Sequence, residues 1–154
     1  MLNKREYNEI RFFEYIPEVE NIKTMPLIVY LHGAGERGTD IEKLNTHGPI
    51  KEMLAGKVKS NFIVIAPQCE EIKTWWDYAE ILYKWILEYI KQPFVDKKRV
   101  YLTGNSMGGY GTWSLAMAHP ELFAAIVPIC GGGFSWNAAM LKNTPVWAFH
   151  CVND

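Results

Sequence analysis

At residues 99–109 the sequence reads Arg-Val-Tyr-Leu-Thr-Gly-Asn-Ser-Met-Gly-Gly, so an apolar run enters Gly104-x-Ser106-x-Gly108 and a helical pattern follows at once. That order is the sequence form of a nucleophile elbow, a sharp strand-to-helix turn that lifts one serine hydroxyl above a parallel sheet. Gly104 and Gly108 leave room where a side chain would collide with the turn. The bare pattern recurs by chance in roughly one chain in twenty of this length. The strand–turn–helix context therefore carries the assignment of Ser106 as a nucleophile.

The chemistry is acyl transfer. A serine attacking a carbonyl carbon leaves negative charge on the oxygen, and pre-aimed backbone N–H groups stabilise it. Met107, the residue after the nucleophile, supplies one N–H from a helix N-terminus. The glycine-flanked turn at Gly33-Ala34, in His32-Gly-Ala-Gly35, supplies the other. A serine also needs a base, and in this architecture the chain order is Ser, then Asp or Glu, then His. Asp154 stands 48 residues after Ser106, just past an apolar run, and is the candidate acid. The preceding strand end, residues 131–136, offers no carboxylate. All four histidines precede Asp154, and His32, His47, His119 and His150 each read better as structural residues than as the base. Metal ligation is not indicated: there is no CxxC or HxxxH spacing, and His150 and Cys151 point to opposite faces of a strand. Trp75, Trp76 and Trp136 are candidates for the wall of an acyl pocket, with one ring of the Trp75-Trp76 pair assigned to the core. Glu36 and Arg37, in the oxyanion turn, are candidates for touching substrate or for pairing with each other.

The elements that must position these residues alternate between strand and helix. Strands are expected at 11–19 (broken at Pro17), 26–31, 61–66, 99–103, 122–129 and 145–150. Helices are expected at 46–56, 75–91 and 106–119. In the longest helix the apolar residues fall at 75, 78, 79, 82, 85, 86, 89 and 90, a period near 3.6, and Thr74 is its candidate cap. The strands are continuous apolar runs, the pattern of a parallel sheet covered on both faces. In such sheets ligands bind beyond the carboxyl ends of the strands. The polar and glycine-rich segments sit at those ends: 32–38, 68–70, 104–109, 131–136 and 151–154. Their convergence on one rim says more than any single motif.

A chain of 154 residues is one domain by the usual prior, and 49% apolar residues can build a core. The net charge of −1, with acids and bases interspersed, gives no sign of a nucleic-acid partner. No run approaches the ~20 apolar residues of a membrane span. Cys69, Cys130 and Cys151 are odd in number and widely spaced, which suits a reducing compartment. The expected location is cytoplasmic, or secreted had a leader been removed. No cofactor is indicated.

Taken together, Leu31-His-Gly-Ala-Gly-Glu-Arg-Gly38, His47-Gly-Pro49, Trp75-Trp-Asp77, residues 101–113 around Ser106 and Pro128-Ile-Cys-Gly-Gly-Gly133 resemble the α/β-hydrolase esterases. The likeness is to the phospholipase/carboxylesterase and prolyl-oligopeptidase-like group, beside feruloyl and polyhydroxybutyrate-depolymerase-type esterases, and it covers about 15–154. It implies a mostly parallel sheet with helices on both faces. It also implies Ser106 as nucleophile, oxyanion donors at Ala34 and Met107, and Asp154 as acid in a Phe-His-x-x-x-Asp segment. Such proteins usually carry Gly where Cys151 stands, and they continue through a further helix and strand to the catalytic histidine. The expectation is thus a single α/β-hydrolase domain over 1–154 that lacks the last strand and helix, with 145–150 an apolar edge strand able to recruit a second copy. The leading function is a serine carboxylesterase for short-chain or aromatic acyl esters, working through an acyl-enzyme on Ser106. The competing readings are an impaired or inert truncated remnant and a serine peptidase of the same fold, disfavoured by the lack of a propeller domain. A dienelactone-hydrolase-like enzyme is disfavoured by serine at the elbow.

Overall fold

The structure is a computed structural model and describes residues 2–8, 10–18, 23–58 and 60–153. The strands are β1 (Leu2–Tyr7), β2 (Ile10–Tyr15), β3 (Met25–Leu31), β4 (Ile63–Pro67), β5 (Val95–Asn105) and β6 (Ala125–Ile129). The helices are α1 (Gly48–Leu54), α2 (Ala79–Tyr89) and α3 (Met107–Ala118), with 3-10 segments at Ala34–Glu36, Ile41–Asn45 and Ser135–Leu141. The sheet order is β1-β2-β4-β3-β5-β6. β1 and β2 pair antiparallel, β2 pairs antiparallel with β4, and β4, β3, β5 and β6 run parallel. Beyond β6, Val146 and Phe149 form parallel bridges to Ile126 and Ile129, so the 145–149 segment lies along the edge.

The two sheet faces differ. On one, Leu27, Val29, Leu31, Ile63, Ile65, Val100, Leu102 and Ile126 are fully buried beneath Trp85, Ile86 and Leu82 of α2 and Leu115 and Ala116 of α3. Each such side chain contributes about 1.5–3 kcal/mol of burial free energy. On the other face a smaller core of Phe13, Tyr30, Val64, Ala66, Leu44 and Ile50 lies under α1 and the 41–45 turn. That cover does not extend over β5 and β6. Tyr101, Thr103, Ala125, Val127 and Ile129 are only half-buried there, and Trp147 beside them is 68% exposed.

Several element boundaries differ from the sequence reading. β1 was not expected. Its central residues Asn3–Glu6 are polar on both faces, and it is held by pairing with β2 across a turn where Asn8 has φ +45. The strand expected at 11–19 ends at Tyr15, and residue 19 lies outside the described residues. α2 starts at Ala79 rather than 75, because the Asp77 carboxylate accepts from both the backbone N–H (2.7 Å) and the hydroxyl (2.8 Å) of Thr74, closing a turn before the helix. The last strand is reduced to its two bridges. Among the described residues no helix is long and apolar enough to cross a membrane.

Helix α3 is apolar on nearly every side because the sheet covers one flank and the 135–141 segment packs on another. Its first turn reaches the sheet backbone directly. A Cβ on Gly108 would stand 1.9 Å from the Leu31 carbonyl oxygen, and one on Gly104 would stand 2.5 Å from the Gly108 oxygen. Gly108→Ala is therefore expected to destabilise the chain by at least about 3 kcal/mol, as severe overpacking against backbone does. Urea unfolding checks it.

Candidate active site

Ser106 sits between β5 and α3 with φ +51 and ψ −117, a left-handed-side conformation that a non-glycine residue adopts only under constraint. The constraint is visible. Its backbone N–H donates to the Ile129 carbonyl at 2.9 Å, its own carbonyl accepts from Tyr110 N at 3.0 Å, and glycines on both sides admit the crossing. The side chain is exposed on the carboxyl rim of the sheet. Met107 is the first residue of α3, so its N–H is one of the donors that a helix N-terminus leaves without an internal partner.

The turn after β3 lies against the elbow. Leu31 pairs with Gly104, and Ala34 begins the one-turn 3-10 segment Ala34–Glu36 with its face to solvent. Gly33 is buried behind it. The turn is stitched from several sides. Arg37 Nε donates to the Ala34 carbonyl at 3.0 Å, and Arg37 Nη1 to the Lys73 carbonyl at 3.3 Å. Gly38 N donates to Cys69 O at 2.9 Å. Gln68 Nε2 donates to Glu36 O at 3.0 Å and Asp40 O at 2.7 Å.

His32 is part of this stitching. Its Nε2 accepts from Cys69 N at 2.9 Å, which puts the ring proton on Nδ1, 2.6 Å from the Gly33 carbonyl. Burial, with the Arg37 charge, lowers its pKa to about 4, against the raising effect of the Gly33 bond. It is a neutral structural imidazole at neutral pH. Cys69 beside it is buried and its thiol is pushed up to about 12 by desolvation, so it is not a thiolate nucleophile. Of the other histidines, His47 precedes α1 at an exposed position, His119 stacks on Tyr83 at 3.5 Å at the far end of α3, and His150 is exposed in the edge segment. Among the described residues no group of His, Cys, Asp and Glu could hold a metal ion. Asp154, the candidate acid, lies outside the described residues.

Two of the candidate substrate contacts are placed inside the protein. Trp75 is 2% exposed: its indole N–H donates to the His32 carbonyl at 2.9 Å and its ring packs on that imidazole and on Tyr78. Glu36 is 3% exposed and turned inward, because the 3-10 turn directs it beneath the loop; Arg37 bonds to backbone carbonyls rather than to it. Trp76, by contrast, is 46% exposed and meets Tyr110 edge-on at 5.9 Å. Together with Ser114, Gly132, Gly133 and Phe134 these two rings line a cavity of about 350 Å³ against the first two turns of α3. Trp136 is 76% exposed against Phe134, at the outer edge of that wall. Tyr110, Ser114 and Phe134 were not singled out in the sequence. The signal for Tyr110 was its place one helical turn after the nucleophile, on the same face.

A six-stranded, mostly parallel sheet, a strained exposed serine between strand and helix, and a backbone-lined turn after the neighbouring strand define a partial α/β-hydrolase fold. The proteins it is similar to include esterases and peptidases. The family model for the prolyl oligopeptidase family matches residues 76–151. The crystal structure of a thermostable esterase superposes with a TM-score of 0.79 at 32% identity, over 97% of this chain and 46% of that one. The bifunctional acetylxylan esterase/xylanase of Neocallimastix patriciarum is 29% identical over 134 residues, which is 84% of this chain and 19% of that protein. Poly(3-hydroxyalkanoate) depolymerase C of Paucimonas lemoignei is 25% identical over 94% of this chain and 35% of its own length. The chain thus spans less than half of each of these relatives.

The His32 geometry has a pH consequence. Its folded pKa of about 4 lies below the ordinary 6.5, so the unfolded chain binds this proton first. The stabilisation is complete above about pH 6.5 and is lost as pH falls towards about 4, amounting to about 3 kcal/mol. Urea midpoints from pH 7 to 4 should show that loss, and a stability independent of pH across this window would contradict the assignment.

Proposed function

We propose that this chain carries the nucleophile and oxyanion hole of a serine carboxylesterase acting on short-chain or aromatic acyl esters. The observation that carries the reading is Ser106 itself, held at φ +51 on the exposed rim. Its Oγ attacks the ester carbonyl. The oxygen that gains charge is met by the N–H of Met107 and the N–H of Ala34, each such donor being worth about 3 kcal/mol. The alcohol leaves with the proton that a general base took from Ser106, the acyl group stays on Ser106, and water then releases it. Asp154 is proposed as the acid that orients this base. His32 is committed to Gly33 and Cys69, and His119 is stacked at the other end of α3. The base is proposed to be a histidine other than these two.

The cavity between Trp76, Tyr110 and Phe134 supports the substrate class. At about 350 Å³ it is near the lower end of ligand sites, and its aromatic walls suit a small acyl chain or a single ring. The family-model match supports a serine peptidase as the second reading, which p-nitroanilide peptides test directly.

The primary test is hydrolysis of p-nitrophenyl acetate and butyrate with Ser106→Ala alongside. A stoichiometric acylation burst from the wild type that falls to background in Ser106→Ala is the expected result. Identical traces from the two proteins would instead support the inert reading. A second expectation concerns assembly. The 145–149 edge carries exposed Trp147, Val146 and Phe149, and we propose that it pairs with a second copy. Trp147→Lys should then move the chain from dimer to monomer in sedimentation; a wild-type monomer with this segment protected from exchange would refute it.

A further inference from the structure

Buried Tyr30 and half-buried Asn105, neither assigned a role by the sequence, connect the two strand ends that carry the proposed oxyanion donors. The Tyr30 hydroxyl donates to Asn105 Oδ1 at 2.6 Å. Tyr30 comes from β3, on the sheet face under α1, and Asn105 is the last residue of β5, immediately before Ser106. With the Asn105 oxygen engaged by Tyr30, its amide nitrogen turns toward the other strand end. A Cβ on Gly33 would stand 3.1 Å from Asn105 Nδ2 and 3.6 Å from the Asn105 carbonyl oxygen, so the Asn105 amide rests directly on the Gly33 backbone. The Glu36 carboxylate meets the same spot: its Oε2 would lie 3.3 Å from that Cβ. Among the described residues no group donates to Glu36 Oε1.

The Tyr30 hydroxyl is itself held from behind. α1 opens at Gly48 with φ +73, and a Cβ there would stand 2.2 Å from Tyr30 Oη. The His47-Gly48-Pro49 motif thus finds a place: its glycine is the abutment for a tyrosine hydroxyl. Burial, and then the nearby Glu36 charge, push the Tyr30 pKa above its ordinary value, so the hydroxyl keeps its proton and remains a donor.

We propose that Tyr30 and Asn105 are positioning residues that brace the Gly33–Ala34 turn against the Ser106–Met107 elbow, with Gly48 backing the tyrosine. The two oxyanion donors come from different strands, and the three-residue 3-10 turn that presents Ala34 N–H has little internal support. The Asn105 amide fixes the distance between them. The kinetic consequence rests on the esterase reading; the mechanical one does not.

The test compares wild type, Tyr30→Phe, Asn105→Asp and the double variant by two readouts. The first is amide exchange of 31–38 against 107–118 in the folded proteins. The second is the rate at which a fluorophosphonate labels Ser106, split into maximal rate and half-saturating concentration. Tyr30→Phe keeps the ring and removes one hydroxyl. Asn105→Asp keeps an acceptor for Tyr30 but turns a second oxygen toward Gly33 and Glu36. The expected result is faster exchange at 31–38 with 107–118 unchanged. Labelling should slow by between about 10- and 100-fold in maximal rate at constant half-saturation, the scale of a misplaced catalytic group. The double variant should be no slower than the worse single one. Folded variants with wild-type exchange at 31–38, or a uniform rise across all segments, would overturn the brace. An unlabelled wild type whose 31–38 exchange still responds to Tyr30→Phe would refute the esterase reading and support the brace.

Discussion

The contact on which the rest of the molecule depends is backbone against backbone: the first turn of α3 on the end of β3. Gly108 faces the Leu31 carbonyl where even a methyl group would stand at 1.9 Å. Gly109 and Gly131 repeat the arrangement on β6, at the other side of β5, with a Cβ on Gly109 reaching within 2.5 Å of the Ile129 oxygen. Side chains normally keep a helix several ångströms off a sheet. Removing them lets the helix N-terminus drop into the groove between β3 and β6, and the chain between β5 and α3 must then turn within one residue. Ser106 takes that turn, and its unusual φ is the result. Glycines in a first turn weaken a helix by about 1 kcal/mol each, so the local cost is offset by what the packing makes possible.

The same contact explains why the loop after β3 is so heavily cross-linked. Once α3 is seated against Leu31 and His32, the next residues leave the sheet beside the nucleophile with no regular structure to hold them. The sequence meets this with side chains bonded to backbone. His32, Arg37, Gln68 and Trp75 each tie a carbonyl or an N–H of the 32–40 stretch, or of the segment it rests on. A fixed network of this kind presents donors without reorganisation when charge develops, the condition for electrostatic stabilisation of a transition state.

Much of this was legible in the sequence, and the reasons differ by element. The parallel core was readable because Leu-Ile-Val-Tyr-Leu at 27–31, apart from half-buried Ile28, and Ile-Val-Ile-Ala at 63–66 are buried on both faces and carry no competing pattern. The elbow was readable because close approach leaves glycine no substitute. β1 was not, because an edge strand with solvent on both sides carries no burial signal and is specified by its partner. The inward turn of Glu36 was hidden as well. A charged residue in a substrate-side loop reads as a contact, and its burial follows from the 3-10 turn rather than from its type. Trp75 and Trp76 share a type and adjoin each other, so only the turn closed by Thr74 and Asp77 separates their fates. The pairing of Tyr30 with Asn105 links residues 75 apart and has no sequence signature at all.

The segment along β6 is docked by a handful of backbone hydrogen bonds on one side and carries large rings into solvent. Local opening of such a strand is among the lowest-energy excursions a domain makes. A group that is in place only while a strand is closed is competent for only that fraction of time. A partner clasping the 145–149 edge would hold that stretch of the sheet margin closed, an effect of occupancy rather than of contact with the rim.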